Sequence, residues 1–100
     1  EQVRILPITE RVVDYASAVE ERLVREGLRA TVDRRNEKIG AKIREAQLMK
    51  VPAMLVVGDR EAESMNVALR DRRDGDRGAM SVDAFIGMAR EWMDKHRSDS

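Results

Sequence analysis

The stretch "VPAMLVVGD" (51–59) limits the folds open to this chain more than any other. From Ala53 to Gly58 no polar residue interrupts the run, so the alternation of a strand with one wet face is missing. A short apolar run between Pro52 and Gly58 reads as a strand covered on both faces. Covering both faces of a sheet takes helices on either side, which is a layered α/β architecture.

The remaining sequence supplies those layers. "VRILPI" (3–8) is a second apolar, β-rich run, ended by Pro7 and by Thr9, a residue suited to cap the next element. Between Glu10 and Glu26 apolar residues recur at Val12, Ala16, Val19 and Leu23, which is one face of a helix. Gly27 then stands where a helix end favours a left-handed residue. "LRATVD" (28–33) alternates Leu28, Ala30 and Val32 with Arg29 and Thr31, as a half-exposed strand does. A second helix is predicted over 37–50, with Ile39, Ile43 and Ala46 inward and Pro52 stopping it. "VALRDR" (67–72) puts Val67 and Leu69 on one face and Ala68, Arg70 and Arg72 on the other. "DGDRG" (74–78) reads as a turn, and Ser81 caps a last helix lined by Val82, Phe85, Ala89 and Trp92. The order β-α-β-α-β-β-α predicts a mostly parallel sheet with helices on both faces.

One hundred residues make one domain, 1–100, with residues 97–100 read as a disordered polar tail. A chain of this size buries roughly 65% of its unfolded surface, enough to be stable without staples. With no cysteine, disulfides and thiolate metal sites are excluded. No apolar run approaches the ~18 residues of a membrane span, and no signal-like segment opens the chain, so a soluble cytoplasmic protein is expected. Glu1-Gln2 leads without an initiator Met into the apolar run, which is expected of a fragment of a longer protein.

Most catalytic chemistries find no purchase here. The six glycines are scattered, and none forms a phosphate-binding loop. His96 is the single histidine, so a metal cluster or a histidine base is not expected. Ser17, Ser64 and Ser81 lack a nearby base, and Glu61 with Glu63 is the pattern of a solvated loop. An enzyme complete within these residues is not expected.

The charge is balanced in total, 19 cations against 19 acids, but not along the chain. Residues 34–50 carry Arg34, Arg35, Lys38, Lys42, Arg44 and Lys50 against Glu37 and Glu45. Residues 9–27 reverse the sign, with Glu10, Asp14, Glu20, Glu21 and Glu26 against Arg11, Arg22 and Arg25. Ligands of open α/β sheets collect outside the carboxyl ends of parallel strands. "DRRNEK" (33–38) and "GDREAES" (58–64) both follow predicted strands, so they share one edge if those strands are parallel. Arg and Lys suit phosphates, and Asn, Glu and Arg suit the edges of unpaired bases. Glu61 is suited to the N–H edge of a guanine and Arg70 to its O6 and N7. Tyr15, Phe85 and Trp92 are the only aromatics, all on predicted helices, so no stacking platform is expected. On these residues alone, a solvated helix with surface ion pairs is the favoured account of the pattern.

The string "DRRNEKIGAKIREAQLMKVPAMLVVGDRE", with "RILPI" before it and "VALRDRR" after it, resembles the C-terminal anticodon-binding domain of bacterial threonyl-tRNA synthetases. The likeness spans essentially the whole chain. "NEKIG.KIRE" is particular to that synthetase, whereas "VP", an apolar strand and "GD.E" recur in the prolyl, glycyl and histidyl enzymes. The resemblance implies a three-layer α/β/α fold, a five-stranded mixed sheet flanked by three helices, with a short strand near 79–81. It implies that Glu61 and Arg70 read the guanine shared by threonine anticodons, and that Asn36 and Arg44 hold the uracil. Lys50, where the family often has Arg, keeps a phosphate contact and loses a planar fork. Arg35 and Lys42 are expected to steer the RNA backbone. The partner implied is the anticodon loop of threonine tRNA, with no membrane and no DNA. ATP, zinc and magnesium would belong to the catalytic core of a parent ligase, itself a homodimer, and no cofactor to this fragment. The competing readings are a related class II synthetase or freestanding paralogue, and a protein-interaction module on the same scaffold.

Overall fold

The computed structural model describes residues 2–71 and 75–97, with the side chains of 93–97 outside the description. Arg72, Asp74, the side chain of His96 and the tail 98–100 therefore lie outside the described residues. The strands are β1 (Val3–Pro7), β2 (Ala30–Val32), β3 (Ala53–Val57), β4 (Asn66–Asp71) and β5 (Gly75–Ser81). The helices are α1 (Val13–Arg25), α2 (Ile39–Leu48), α3 (Asp59–Ser64) and α4 (Val82–Arg97), and a 3-10 turn, Glu10–Val12, leads into α1. No helix is long and apolar enough to cross a membrane among the described residues.

The strands form one sheet in the order β2-β1-β3-β4-β5. β1 pairs in parallel with β2 and β3, whereas β3–β4 and β4–β5 are antiparallel. The sheet is thus mixed, as the family resemblance implies, and the mostly parallel sheet inferred from element order is corrected. β3 lies between strands on both sides, and its side chains fill both layers, as the unbroken run 53–57 requires. Leu55 and Val57 join Val3, Ile5, Val67 and Leu69 beneath α1 and α4. Met54 and Leu6 pack under α2 through Ala46, Ile39 and Ile43.

Two expected loops are regular structure. Residues 59–64 form the short helix α3, with Gly58 as N-cap. Six residues are too few for an apolar period to declare itself. The turn expected over 74–78 is largely edge strand: β5 begins at Gly75, and the register shifts between Leu69 and Arg70. Gly75 and Gly78 carry positive φ, so glycines that read as turn signals serve an irregular edge. Thr9 makes no side-chain cap, and the Val12 N–H donates to its carbonyl instead. Ser81 does cap α4, its Oγ accepting the Ala84 N–H at 3.0 Å.

Two helix ends close in the same way with different residues. After α1, the Leu28 N–H donates to Leu23 O and the Gly27 N–H to Val24 O, with Gly27 at φ 90°. After α2, Val51 donates to Ala46 O and Lys50 to Gln47 O, with Lys50 at φ 61°. A side chain in that left-handed position is strained where glycine is not. Lys50→Gly should therefore stabilise the domain by about 1 kcal/mol. Urea unfolding should show a higher midpoint at unchanged slope, and a lower midpoint would mean that the Lys50 side chain stabilises the fold.

Candidate nucleic-acid interface

The parallel strands β2, β1 and β3 send 33–38 and 58–64 to one edge of the sheet, as expected. Two interactions fasten that edge. The Ile8 N–H donates to Val57 O at 2.9 Å, and Arg11 pairs with Asp59 at 2.8 Å. Tyr15 donates its hydroxyl to Asn66 O at 2.6 Å, tying α1 to the start of β4. Burial, followed by the nearby Glu61 carboxylate, raises the Tyr15 pKa above the ordinary phenol value.

Much of the basic cluster at 34–50 is structural. Lys42 is 4% exposed, and its ammonium donates to Pro7 O at 3.1 Å and Asp33 O at 3.2 Å. The expectation of an exposed, steering Lys42 is corrected, because its charge is buried between two strand ends. Arg35 donates to both Asp33 oxygens, at 2.9 Å through Nε and 2.8 Å through Nη2, and to Glu45. Its guanidinium is engaged by carboxylates on two sides, which raises its pKa. Arg34 reaches back to Ser17 and Glu20 on α1, joining the basic segment to the acidic one. Among the described residues, Lys38, Arg44 and Lys50 are exposed without an ion-pair partner.

The fold sorts these cations by helix geometry. Residues step about 100° around a helix, and Ile39, Ile43 and Ala46 are turned to the sheet. Lys42 and Glu45 then fall on one flank of α2, and Gly40, Arg44 and Gln47 on the other. The bonds of Lys42 and Glu45 to Asp33 and Arg35 place the first flank toward β2. Arg44 and Gln47 consequently overlook β3 and β4.

There the sheet is open. Val56 and Ala68 are paired across β3 and β4 and half-buried, and Ala79 beyond them is exposed. They make a smooth apolar floor beside the α2 wall. Arg70 lies at one end, level with Met54, and its Nε is buried with no hydrogen-bond partner. At the other end Gly58 brings Ile8 and Glu61 together. A Cβ on Gly58 would meet Ile8 Cδ1 at 2.9 Å and Glu61 Oε1 at 3.1 Å, so any larger residue there displaces those two side-chain ends. The Gly58 N–H donates to Glu61 Oε1 at 2.7 Å, which fixes the carboxylate at the lip of the slot. Continuing the β3–β4 register puts Gly58 level with Asn66, four residues and roughly 13 Å along β4 from Arg70. Glu61 and Arg70 thus bound one slot without touching. Asn36 is exposed in the loop after β2, where a shallow pocket is lined by Ile8, Thr9, Arg35, Asn36 and Lys42.

Sequence reasoning missed Ile8, which is 44% exposed at the lip, and Gly40 on the α2 flank. Ile8 was legible as a strand residue only. No group of His, Cys, Asp and Glu that could hold a metal ion occurs among the described residues.

Residues 2–92 match the anticodon binding domain family. The chain is 60% identical over 85 residues to a threonine–tRNA ligase of Caldanaerobacter subterraneus, covering 85% of this chain and 13% of that protein. A threonine–tRNA ligase of Acetivibrio thermocellus is 55% identical over the same shares. The chain thus spans about 13% of the length of the curated relatives it matches. Among solved structures, the RNA binding domain of a Cryptosporidium parvum threonyl-tRNA synthetase superposes with a TM-score of 0.81 at 36% identity, over 86% of this chain and 22% of that one. A prolyl-tRNA synthetase of the same organism shares the fold, with a TM-score of 0.82 at 24% identity over 94% of this chain and 21% of that one.

Two outcomes test the electrostatic core of the edge. Lys42→Ala leaves two strand-end carbonyls without their donor and should cost about 2–3 kcal/mol of stability, read from denaturant unfolding; an unchanged midpoint would contradict the clamp. Asp33 is 8% exposed, and its hydrogen bond from Arg35 holds its carboxyl below the ordinary value despite burial. Its stabilisation is full above the unfolded carboxylate pKa of about 3.9 and fades as pH falls through the lower folded value. Asp33→Asn should therefore be less stable at pH 7 by about 1–3 kcal/mol, and the gap to the parent chain should close below about pH 4. A gap that does not narrow at all as pH falls below about 4 would place the loss elsewhere than in the ionised carboxylate.

Proposed function

The chain belongs to the anticodon-binding domain family, and on that basis we propose that it is the part of a threonine–tRNA ligase that reads the anticodon of threonine tRNA. The single observation that carries this reading is the slot between α2 and β4, with a carboxylate at one end and a guanidinium at the other. Guanine presents N1–H and N2–H on one edge and O6 and N7 on another. Glu61 accepts from the first edge while it keeps its bond to Gly58, since a carboxylate has four lone-pair sites. Arg70 donates to O6 and N7, and the ligand satisfies an Nε that has no partner in the free chain. The apolar floor of Val56 and Ala68 lies between them, beneath the plane of the base.

Asn36 and Arg44 hold the neighbouring uracil, and Lys50 takes a phosphate. Arg35 acts indirectly: its bonds to Asp33 and Glu45 hold the loop that presents Asn36. The remainder of the ligase binds ATP, zinc and magnesium and uses the ATP to attach threonine to the tRNA, in the cytoplasm and as a homodimer; this piece holds no cofactor and does not aminoacylate alone. A related class II synthetase would share the fold. The high identity to threonine–tRNA ligases supports the threonine assignment over it.

The test is binding of a threonine anticodon stem-loop, compared with the same loop carrying adenine for the central guanine, at one stated salt concentration. The parent chain should prefer guanine. Glu61→Gln and Arg70→Ala should each remove about 1–3 kcal/mol of that preference. Equal weakening toward both loops would contradict the assignment of these residues, and a parent chain with no preference would contradict the reading itself.

A further inference from the structure

Gly40 is the second residue of α2, where glycine is less favourable than alanine. The chain's own packing does not ask for it. Its φ is not positive, in contrast to Gly27, and a Cβ on it would meet no atom within 4 Å, in contrast to Gly58. The helix turns this bare position toward the slot described above, on the flank that carries Arg44 one turn further on. Lys38 and Arg44, cations without an ion-pair partner among the described residues, lie on either side of it in the sequence. Glycine in such a place suits the close approach of another backbone.

We propose that the ribose–phosphate backbone of the anticodon loop crosses α2 at Gly40, in the space that a methyl group would fill, with Lys38 taking the adjacent phosphate and Arg44 left to the uracil one turn further on. The inference rests on the anticodon-reading function proposed above. It assigns the absent side chain a role in RNA placement, as a gap in the wall of the slot.

Gly87 supplies the control. It lies in α4, beneath the opposite face of the sheet, and also has nothing within 4 Å of an added Cβ. Gly40→Ala and Gly87→Ala should both raise the midpoint of thermal unfolding by a few degrees. Only Gly40→Ala should weaken binding of the threonine anticodon stem-loop, by about tenfold or more. Unchanged binding by Gly40→Ala, an equal loss in Gly87→Ala, or a lower unfolding midpoint for Gly40→Ala would each overturn the proposal. A parent chain that does not bind the stem-loop would overturn the functional reading and this inference together. A parent that binds while Gly40→Ala binds equally well would overturn only this one.

Discussion

The ammonium of Lys42, buried between Pro7 O and Asp33 O, is the interaction on which the arrangement of the recognition edge depends. Two parallel strands end beside each other with outward carbonyls, and a helix must dock where those carbonyls would otherwise be buried without donors. One lysine from α2 answers both. It sets the rotation of α2 over the sheet: with Lys42 on the β2 side, helical geometry turns Gly40, Arg44 and Gln47 toward β3 and β4. The same residue places Asp33, whose carboxylate gathers Arg35, which in turn reaches Glu45 on α2. A cluster that looks like a patch of free positive charge is therefore partly an internal scaffold that aims the remaining cations.

The two faces of the sheet differ in how far they are covered. α1 and α4 pack over the layer formed by Ile5, Leu55, Val67 and Leu69. Ion pairs Arg22–Asp83 and Arg90–Glu26 join those two helices along their exposed side. The other face has α2 alone over β1 and β3, which leaves Val56, Ala68 and Arg70 half-covered. A sheet wider than its single covering helix has an open strip, and here that strip is smooth and apolar with charged ends. The lack of an aromatic platform is consistent with the proposed reading, in which a base lies on small aliphatic side chains and its edges are read from the ends. Phe85 is core, and Tyr15 is held through its hydroxyl to Asn66.

The sequence made the layers readable because burial leaves a periodic trace. Val12, Ala16, Val19 and Leu23 face the core as their spacing requires, and Val67 and Leu69 are buried while Ala68 and Arg70 are not. Strand direction was less readable, because β4 carries no mark in its own residues of running antiparallel to β3. The helix over 59–64 and the strand over 75–81 escaped for opposite reasons: one is too short to show a period, and the other hides behind glycines that usually mark turns. At the site, residue type suggested what Glu61, Arg70, Asn36 and Arg44 could bind. It did not separate them from Lys42 and Arg35, since a cation without partners and one held by carbonyls or carboxylates look alike until their neighbours are placed. The position proposed for Gly40 was invisible in the sequence, because a missing side chain has meaning only once the space beside it is seen.

The central claim is that RNA lies on the α2 side of the sheet, between that helix and β4. Titration of the isotopically labelled chain with the threonine anticodon stem-loop, followed by amide chemical shifts, tests it most directly. The account predicts the largest changes in 36–44, in 56–61 and in 68–70, with α1 and the amide signals of 82–92 little altered. Changes concentrated on α1 and α4, with the α2 slot silent, would contradict it.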